Sequence, residues 1–195
     1  LPEVDKSDSE AGGEQPGQVR ASKTQPVKSQ EEKNSEYLDA AKKGDLQTVV
    51  TLLNSGADIL CKRDNGDSAL HLAAEEGRDE IVKALLDRGL DVNTRGQLDW
   101  TPLMQAASSG HESTVNILLE AGADITCIDD RNANALHWAA VDGRDTVVKI
   151  LLDRGLDIDS RDSQDRTPLM IAAERAHSDV VKLLLDKGAR LDLKD

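Results

Sequence analysis

The sequence contains no phenylalanine, one tyrosine and two tryptophans in 195 residues. Bulky aromatic side chains ordinarily fill the middle of a single globular core. Their scarcity argues for thin layers lined by Ala, Leu, Val and Ile. Two cysteines, Cys61 and Cys127, are too few for a disulfide scaffold. No apolar run is long enough to span a bilayer, and no signal-peptide pattern opens the chain at Leu1. Basic surface is scarce too: 24 Lys and Arg face 37 Asp and Glu, a formal net charge of -13. That excludes nucleic acid and an anionic membrane as main partners, since both demand a basic surface. It favours neutral or basic partners.

Residues 1–35 hold scattered Glu, Lys, Ser, Gln, Gly and Pro with no period of 2 or 3.6. Such a stretch buries too little apolar surface to offset its ordering entropy, so a disordered tail or linker is expected there. From Glu36 onward a fixed rhythm sets in. Gly44, Gly77, Gly110 and Gly143 are spaced by 33, as are Gly56, Gly89, Gly122, Gly155 and Gly188. Leu-Leu pairs begin at 52, 85, 118, 151 and 184, and Ala-Ala pairs at 40, 73, 106, 139 and 172. A period without slippage signals stacked repeats, at about 36–62, 63–95, 96–128, 129–161 and 162–195.

Each period reads as two short antiparallel helices. In the third, Thr101 caps the first helix and Pro102 takes its first turn, where the missing N–H costs nothing. Gly110 suits the left-handed residue that stops this helix. The second helix, ESTVNILLEA, carries Val115, Leu118 and Leu119 on one face, and Gly122 ends it. Positions 66, 99, 132 and 165 hold Gly, Asp, Asn and Asp, the types that best tolerate positive φ, so a left-handed turn residue is expected at each.

The segments TPLMQA (101–106) and TPLMIA (167–172), with the variants SALHLA (68–73) and NALHWA (134–139), resemble the ankyrin-repeat signature T-P-L-H-x-A. The resemblance covers residues 36–195, about five repeats. It implies an all-α solenoid of stacked helix pairs with hairpin-like fingers. Departures are few. Ala176 replaces the glycine between helices, and Arg63 and Gly96 replace the Asp that opens a repeat at Asp129 and Asp162. Asp39 lies where later repeats have Leu72, Gln105, Trp138 and Ile171, which fits an outward-facing N-terminal cap. The last repeat lacks such polar residues, and Asp195 falls where another repeat would open, so further repeats or a C-terminal partner are expected to follow.

No catalytic constellation and no cofactor or metal site is expected. His71 and His137 occupy the signature histidine position, which the resemblance assigns to bracing the turn, and His111 and His177 fall between helices. Cys61 and Cys127 stand two repeats apart, beyond bridging reach. DIDSRDSQD (157–165) lacks the bidentate Glu and central Gly of a calcium loop. LLDRGLDVN (85–93) resembles ankyrin-repeat sites of asparaginyl hydroxylation, with Asn93 as the target, although Asn is also an ordinary residue of this turn.

The resemblance implies a non-catalytic interaction module, an adaptor or scaffold gripping a partner on the concave face of turn tips and first helices. The alternative is a regulatory or targeting segment of a larger enzyme or channel. Transferred to this sequence, the contact positions are Asp64, Asp67, Glu75 and Glu76 in repeat two and Leu98, Trp100 and Gln105 in repeat three. Arg131, Ala133, Trp138 and Val141 follow in repeat four, then Arg166 and Arg175 in repeat five. Exposed apolar residues with Trp at their centre mark an interaction site. The expected partner is a protein or peptide with an apolar anchor and basic residues. The chain itself is expected to be a monomeric piece of a larger cytoplasmic protein, with the nucleus and secretion as an effector left open.

Overall fold

The computed structural model of the chain describes residues 28–191. Most of the tail expected over 1–35, and the Asp195 expected to open another repeat, lie outside the described residues. What is described of the tail corrects its boundary. Helix α1 runs Gln30–Lys43, six residues earlier than the onset of the rhythm. The cause is a capping box: the Glu32 backbone N–H donates to Ser29 Oγ and the Ser29 N–H to Glu32 Oε2. Gln30 and Lys33 then donate to the Gly56 and Ser55 carbonyls, tying this polar turn to the end of the next helix.

Helix α2 (Leu46–Asn54) completes the first pair. The following pairs are α3 (Ala69–Glu75) with α4 (Asp79–Leu86), and α5 (Pro102–Ser109) with α6 (Glu112–Glu120). Then come α7 (Ala135–Val141) with α8 (Asp145–Asp153), and α9 (Pro168–Glu174) with α10 (Ser178–Asp186). First helices pack side by side in one row, α1 to α9, and second helices, α2 to α10, in another. Between pairs the chain forms fingers; among the described residues their sheet content is one bridge, Lys62 to Ser68. The molecule is an all-α repeat array.

The rhythm of the sequence is the rhythm of the packing. Both members of each Ala pair from Ala40 to Ala140 are buried, so adjacent first helices approach closely. Leu52, Leu85, Leu118, Leu151 and Leu184 are buried, while the second leucines of these pairs sit half-buried in repeats one to four. In the last repeat Leu185 is 38% exposed, since no described layer covers it. Thr101 accepts from the Met104 N–H, with Pro102 in the first turn, and Gly110 and Gly122 are left-handed. Positions 66, 99, 132 and 165 have φ of 93°, 62°, 57° and 58°, as their residue types require.

Successive repeats are locked at one recurring junction. Arg78 Nε donates to the Lys42 carbonyl at 3.1 Å, and Arg144 Nε to the Ser108 carbonyl at 2.8 Å. His111 Nε2 pairs with the Glu75 carbonyl at 3.0 Å and His177 Nε2 with the Val141 carbonyl at 2.9 Å. Each of these side chains lies over the left-handed glycine of the preceding repeat, at Gly44, Gly110, Gly77 and Gly143 respectively. A Cβ on Gly77 would stand 2.6 Å from the His111 ring, whereas one on Gly89 would meet nothing within 4 Å. Ala176 takes the same left-handed conformation, φ 59°, at an exposed position of the last repeat.

The signature histidines brace the fingers from inside. His71 Nδ1 accepts from the Ser68 N–H and faces the Ser68 hydroxyl at 2.9 Å, so its proton sits on Nε2, which donates to the Trp100 carbonyl at 3.0 Å. Burial pushes the pKa of His71 and of His137 below the ordinary histidine value, against the pull of nearby carbonyls and carboxylates.

Two outcomes follow from this packing. Gly77→Ala should cost about 2–4 kcal/mol in urea unfolding, from left-handed strain plus displacement of the His111 bond, against about 1–2 for Gly89→Ala, where strain acts alone. Equal costs would remove the junction from the explanation. The histidines set a pH window. Their folded pKa values lie below about 6.5, so the folded state binds fewer protons; the stability they contribute is present above that pH and is lost as pH falls through it. Midpoints of urea unfolding should be flat from pH 8 to about 6.5 and fall below that, and the fall should shrink in a His71→Gln, His137→Gln double variant.

Candidate partner-binding site

The finger of repeat three differs from its neighbours. Leu98 and Asp99 both have positive φ, 55° and 62°, and the Trp100 N–H donates to the Gln97 carbonyl at 3.1 Å. This is a type I′ turn, which favours Asn-Gly at its two central positions. Leu98, branched and 44% exposed, is held there against its preference. In repeats four and five the opening Asp ties the finger: Asp129 Oδ1 accepts from the Arg131 and Ala133 N–H groups, and Asp162 Oδ1 from those of Gln164 and Arg166. Repeat three has Gly96 at that position. Asp67 of the preceding finger replaces the missing carboxylate, its Oδ1 accepting from the Gln97 N–H at 3.0 Å and filling the space a Cβ on Gly96 would need.

The two indoles meet. Trp100, on finger three, lies against Trp138, on helix α7, with ring centroids 4.4 Å apart and planes tilted by 49°. Both are half-buried. The Trp138 Nε1–H donates to Asp129 Oδ2 at 2.9 Å, so ring and finger fix each other. The Trp100 Nε1–H is buried without a hydrogen-bond partner among the described residues. Trp138 has room because Ala133 stands where finger three has Trp100 and finger five has Arg166.

Two of the sequence-derived contact positions are withdrawn by their burial. Asp67 and Ala133 are each 5% exposed. The first is drawn inward by its bonds to Gln97 and Asn65, and the second, whose N–H donates to Asp129 Oδ1, lines a cavity together with Trp138. Asp64 and Arg131 are exposed at finger tips, and Gln105 and Val141 are half-buried on first helices. Glu75 and Glu76 are half-buried and already paired with Lys42, at 3.2 and 3.4 Å, so much of the acidic flank is neutralised within the molecule. Arg166 is clamped on Asp162 through Nε and Nη2 and reaches Glu174 at 3.4 Å; Arg175 is exposed. Burial alone would raise the Asp162 pKa, but the bonds from the Arg166 side chain and from the N–H groups of Arg166 and Gln164 take it below the usual carboxylate value.

A feature that residue types did not reveal is a cavity of about 70 Å³ below Trp138, lined by Arg131, His137, Val141, Asp162, Arg166 and Arg175 among others. Its signal was weak: one arginine in repeat four and two in repeat five, at three different repeat positions.

The other candidates settle into structural places. Asn93 Oδ1 accepts from the Asp124 N–H at 2.8 Å, a tie between repeats, and its own N–H donates to Asp91. Cys61 and Cys127 are free and half-buried; burial pushes the Cys61 thiol up to about 11 and raises Cys127 too, so both are protonated at neutral pH. Among the described residues no group of three His, Cys, Asp or Glu side chains is placed to hold a metal ion, and no helix is long and apolar enough to cross a membrane.

A family model described as ankyrin repeats (3 copies) matches residues 38–129 and 124–195. No curated protein matches the chain. The two matched segments reach from the first helix pair to the last, and the chain belongs to the ankyrin-repeat family.

Proposed function

We propose that this chain is a non-catalytic interaction module that takes a protein or peptide partner across its fingers and first helices, with the Trp100–Trp138 stack as anchor. Ankyrin repeats are generally protein–protein interaction modules. The observation that carries the finer reading is the stack itself: two half-exposed indoles fixed against each other by ring contact and by Asp129. Fixed aromatic surface loses little conformational entropy on binding, and tryptophan is the residue type richest in hot spots.

Backbone strain supports the same place. Leu98 is exposed beside Trp100 in a conformation costing about 1–2 kcal/mol for a residue with a Cβ. Strain retained at an exposed apolar side chain is accounted for when that side chain meets a partner. On the acidic side Asp64 is exposed and unneutralised by any ion pair among the described residues, so a basic residue of the partner belongs over finger two. Such a rim contact governs association rate and orientation more than affinity.

Peptides selected by display against the chain should lose roughly 2 kcal/mol of binding, more than tenfold, on Trp100→Ala by calorimetry. Unchanged binding together with a lowered melting temperature would make the stack purely structural. Leu98→Asn should raise the unfolding free energy by about 1 kcal/mol, because Asn suits the first position of a type I′ turn, while weakening the same peptides. A variant that gains stability at full affinity would separate the strained turn from recognition.

A further inference from the structure

The cavity below Trp138 lies between fingers four and five and helices α7 and α9, and its charge runs against that of the molecule. On a chain of net charge -13, three guanidinium groups line it and a single carboxylate, Asp162, stands among them. Arg166 is already engaged by Asp162 and Glu174. Arg131 and Arg175 are exposed and make no side-chain hydrogen bond or ion pair with any described residue.

The cavity wall also carries a buried polar atom without a partner. His137 is 1% exposed, and its Nε2 has no hydrogen bond among the described residues. In repeat two the matching Nε2–H reaches the Trp100 carbonyl. In repeat four the carbonyls of Arg166 and Ser160 lie close enough to favour a proton on the ring, yet neither completes a hydrogen bond. The N-cap differs as well. Ser68 presents a hydroxyl to His71 Nδ1, which can donate; Asn134 presents a carbonyl oxygen to His137 Nδ1 at 2.8 Å, which cannot. His137 is one of the residues that line the cavity.

Size narrows the occupant. A volume of about 70 Å³ corresponds to roughly two waters at about 30 Å³ each, or one planar group of carboxylate size. Guanidinium forks match a carboxylate in two parallel bonds. A phosphate dianion would place two charges beside the buried Asp162, whereas a carboxylate brings one.

The geometry points to this cavity as a carboxylate-binding subsite, which takes an acidic side chain or a free C-terminus of the peptide whose apolar anchor lies on the Trp100–Trp138 stack. The inference rests on the binding reading above and adds a direction to it. The peptide runs with its basic residue over Asp64 at finger two and its carboxylate between fingers four and five. Arg131 and Arg175 close on the carboxylate from the rim, His137 stands in the lining, and Trp138 forms the wall shared with the anchor.

The test uses sodium acetate as probe, and inorganic phosphate in parallel, titrated into the 15N-labelled chain at constant ionic strength while the Trp138 indole N–H and the His137 ring are followed by NMR. Acetate should give saturable shifts with a Kd of about 1–30 mM, the range open to so small a ligand, and an Arg131→Gln, Arg175→Gln double variant should bind at least tenfold more weakly. Shifts that stay linear, that persist in the double variant, or that saturate with phosphate at lower concentration overturn the subsite. The display-selected peptides are then compared as free acid and amide, and with each Glu or Asp replaced by Gln or Asn. Loss on amidation assigns the C-terminus, loss on a side-chain replacement assigns that residue, and loss on neither overturns the proposal. Peptide binding that needs Trp100 but ignores every carboxylate sinks the subsite alone. Acetate saturation without any Trp100-dependent peptide sinks the anchor alone.

Discussion

At every junction between successive repeats, the side chain that opens the second helix lies over the left-handed glycine of the repeat before it and bonds a carbonyl there. Arg78, His111, Arg144 and His177 do this in turn, over Gly44, Gly77, Gly110 and Gly143. Two requirements meet at one backbone position: a φ that a Cβ resists, and a space that a Cβ would fill. The register of the whole array rests on this contact, because each repeat touches only its neighbours and an error at one junction would be carried to the next. Everything on the finger side, including the approach of Trp100 to Trp138 across two repeats, presupposes that register.

Much of this was legible because the physics repeats. A residue type that recurs every 33 positions is read several times over, so the alanine contacts, the leucine interior and the left-handed turns at 66, 99, 132 and 165 could be assigned from spacing alone. The illegible parts occur once. The start of α1 was hidden by a polar helix face, although the S-x-x-E of Ser29–Glu32 was its signal. The loan of Asp67 to the finger of repeat three couples two departures, an added acid and the Gly96 that makes room for it, 29 residues apart. Read singly, Asp67 looked like an exposed acid at a turn tip. Ala133 looked like a small exposed contact, when it is buried with its N–H on the opening Asp129 of its finger.

Departures from a repeat pattern carry information only after those that compensate one another are set aside. Asp67 with Gly96 is such a pair, and so are Arg166 with Asp162 and Trp138 with Asp129, in which the second oxygen of the opening Asp receives whatever donor its repeat offers. The polar groups of these substitutions are satisfied inside the molecule, and of Trp138 only the half-exposed ring face is left for a partner. Glu75 and Glu76, paired with Lys42, join them. The acidic surplus of the sequence thus overstates the acidity available to a partner on this face.

What remains after that subtraction is short and lies together. Among the described residues Leu98 is strained and exposed, the Trp100 Nε1–H and His137 Nε2 lack partners, and the Arg131 and Arg175 side chains are unpaired. All belong to fingers three to five or to the helices directly behind them. The two exposed arginines are solvated, but Leu98, Trp100 and His137 each carry a cost that the isolated chain does not recover. Stability alone would favour Asn at 98, as in a relaxed type I′ turn. The clustering of unrelieved backbone and hydrogen-bond terms on one stretch of surface supports the proposed partner site there. It favours that proposed site, at fingers three to five, over one along the acidic flank.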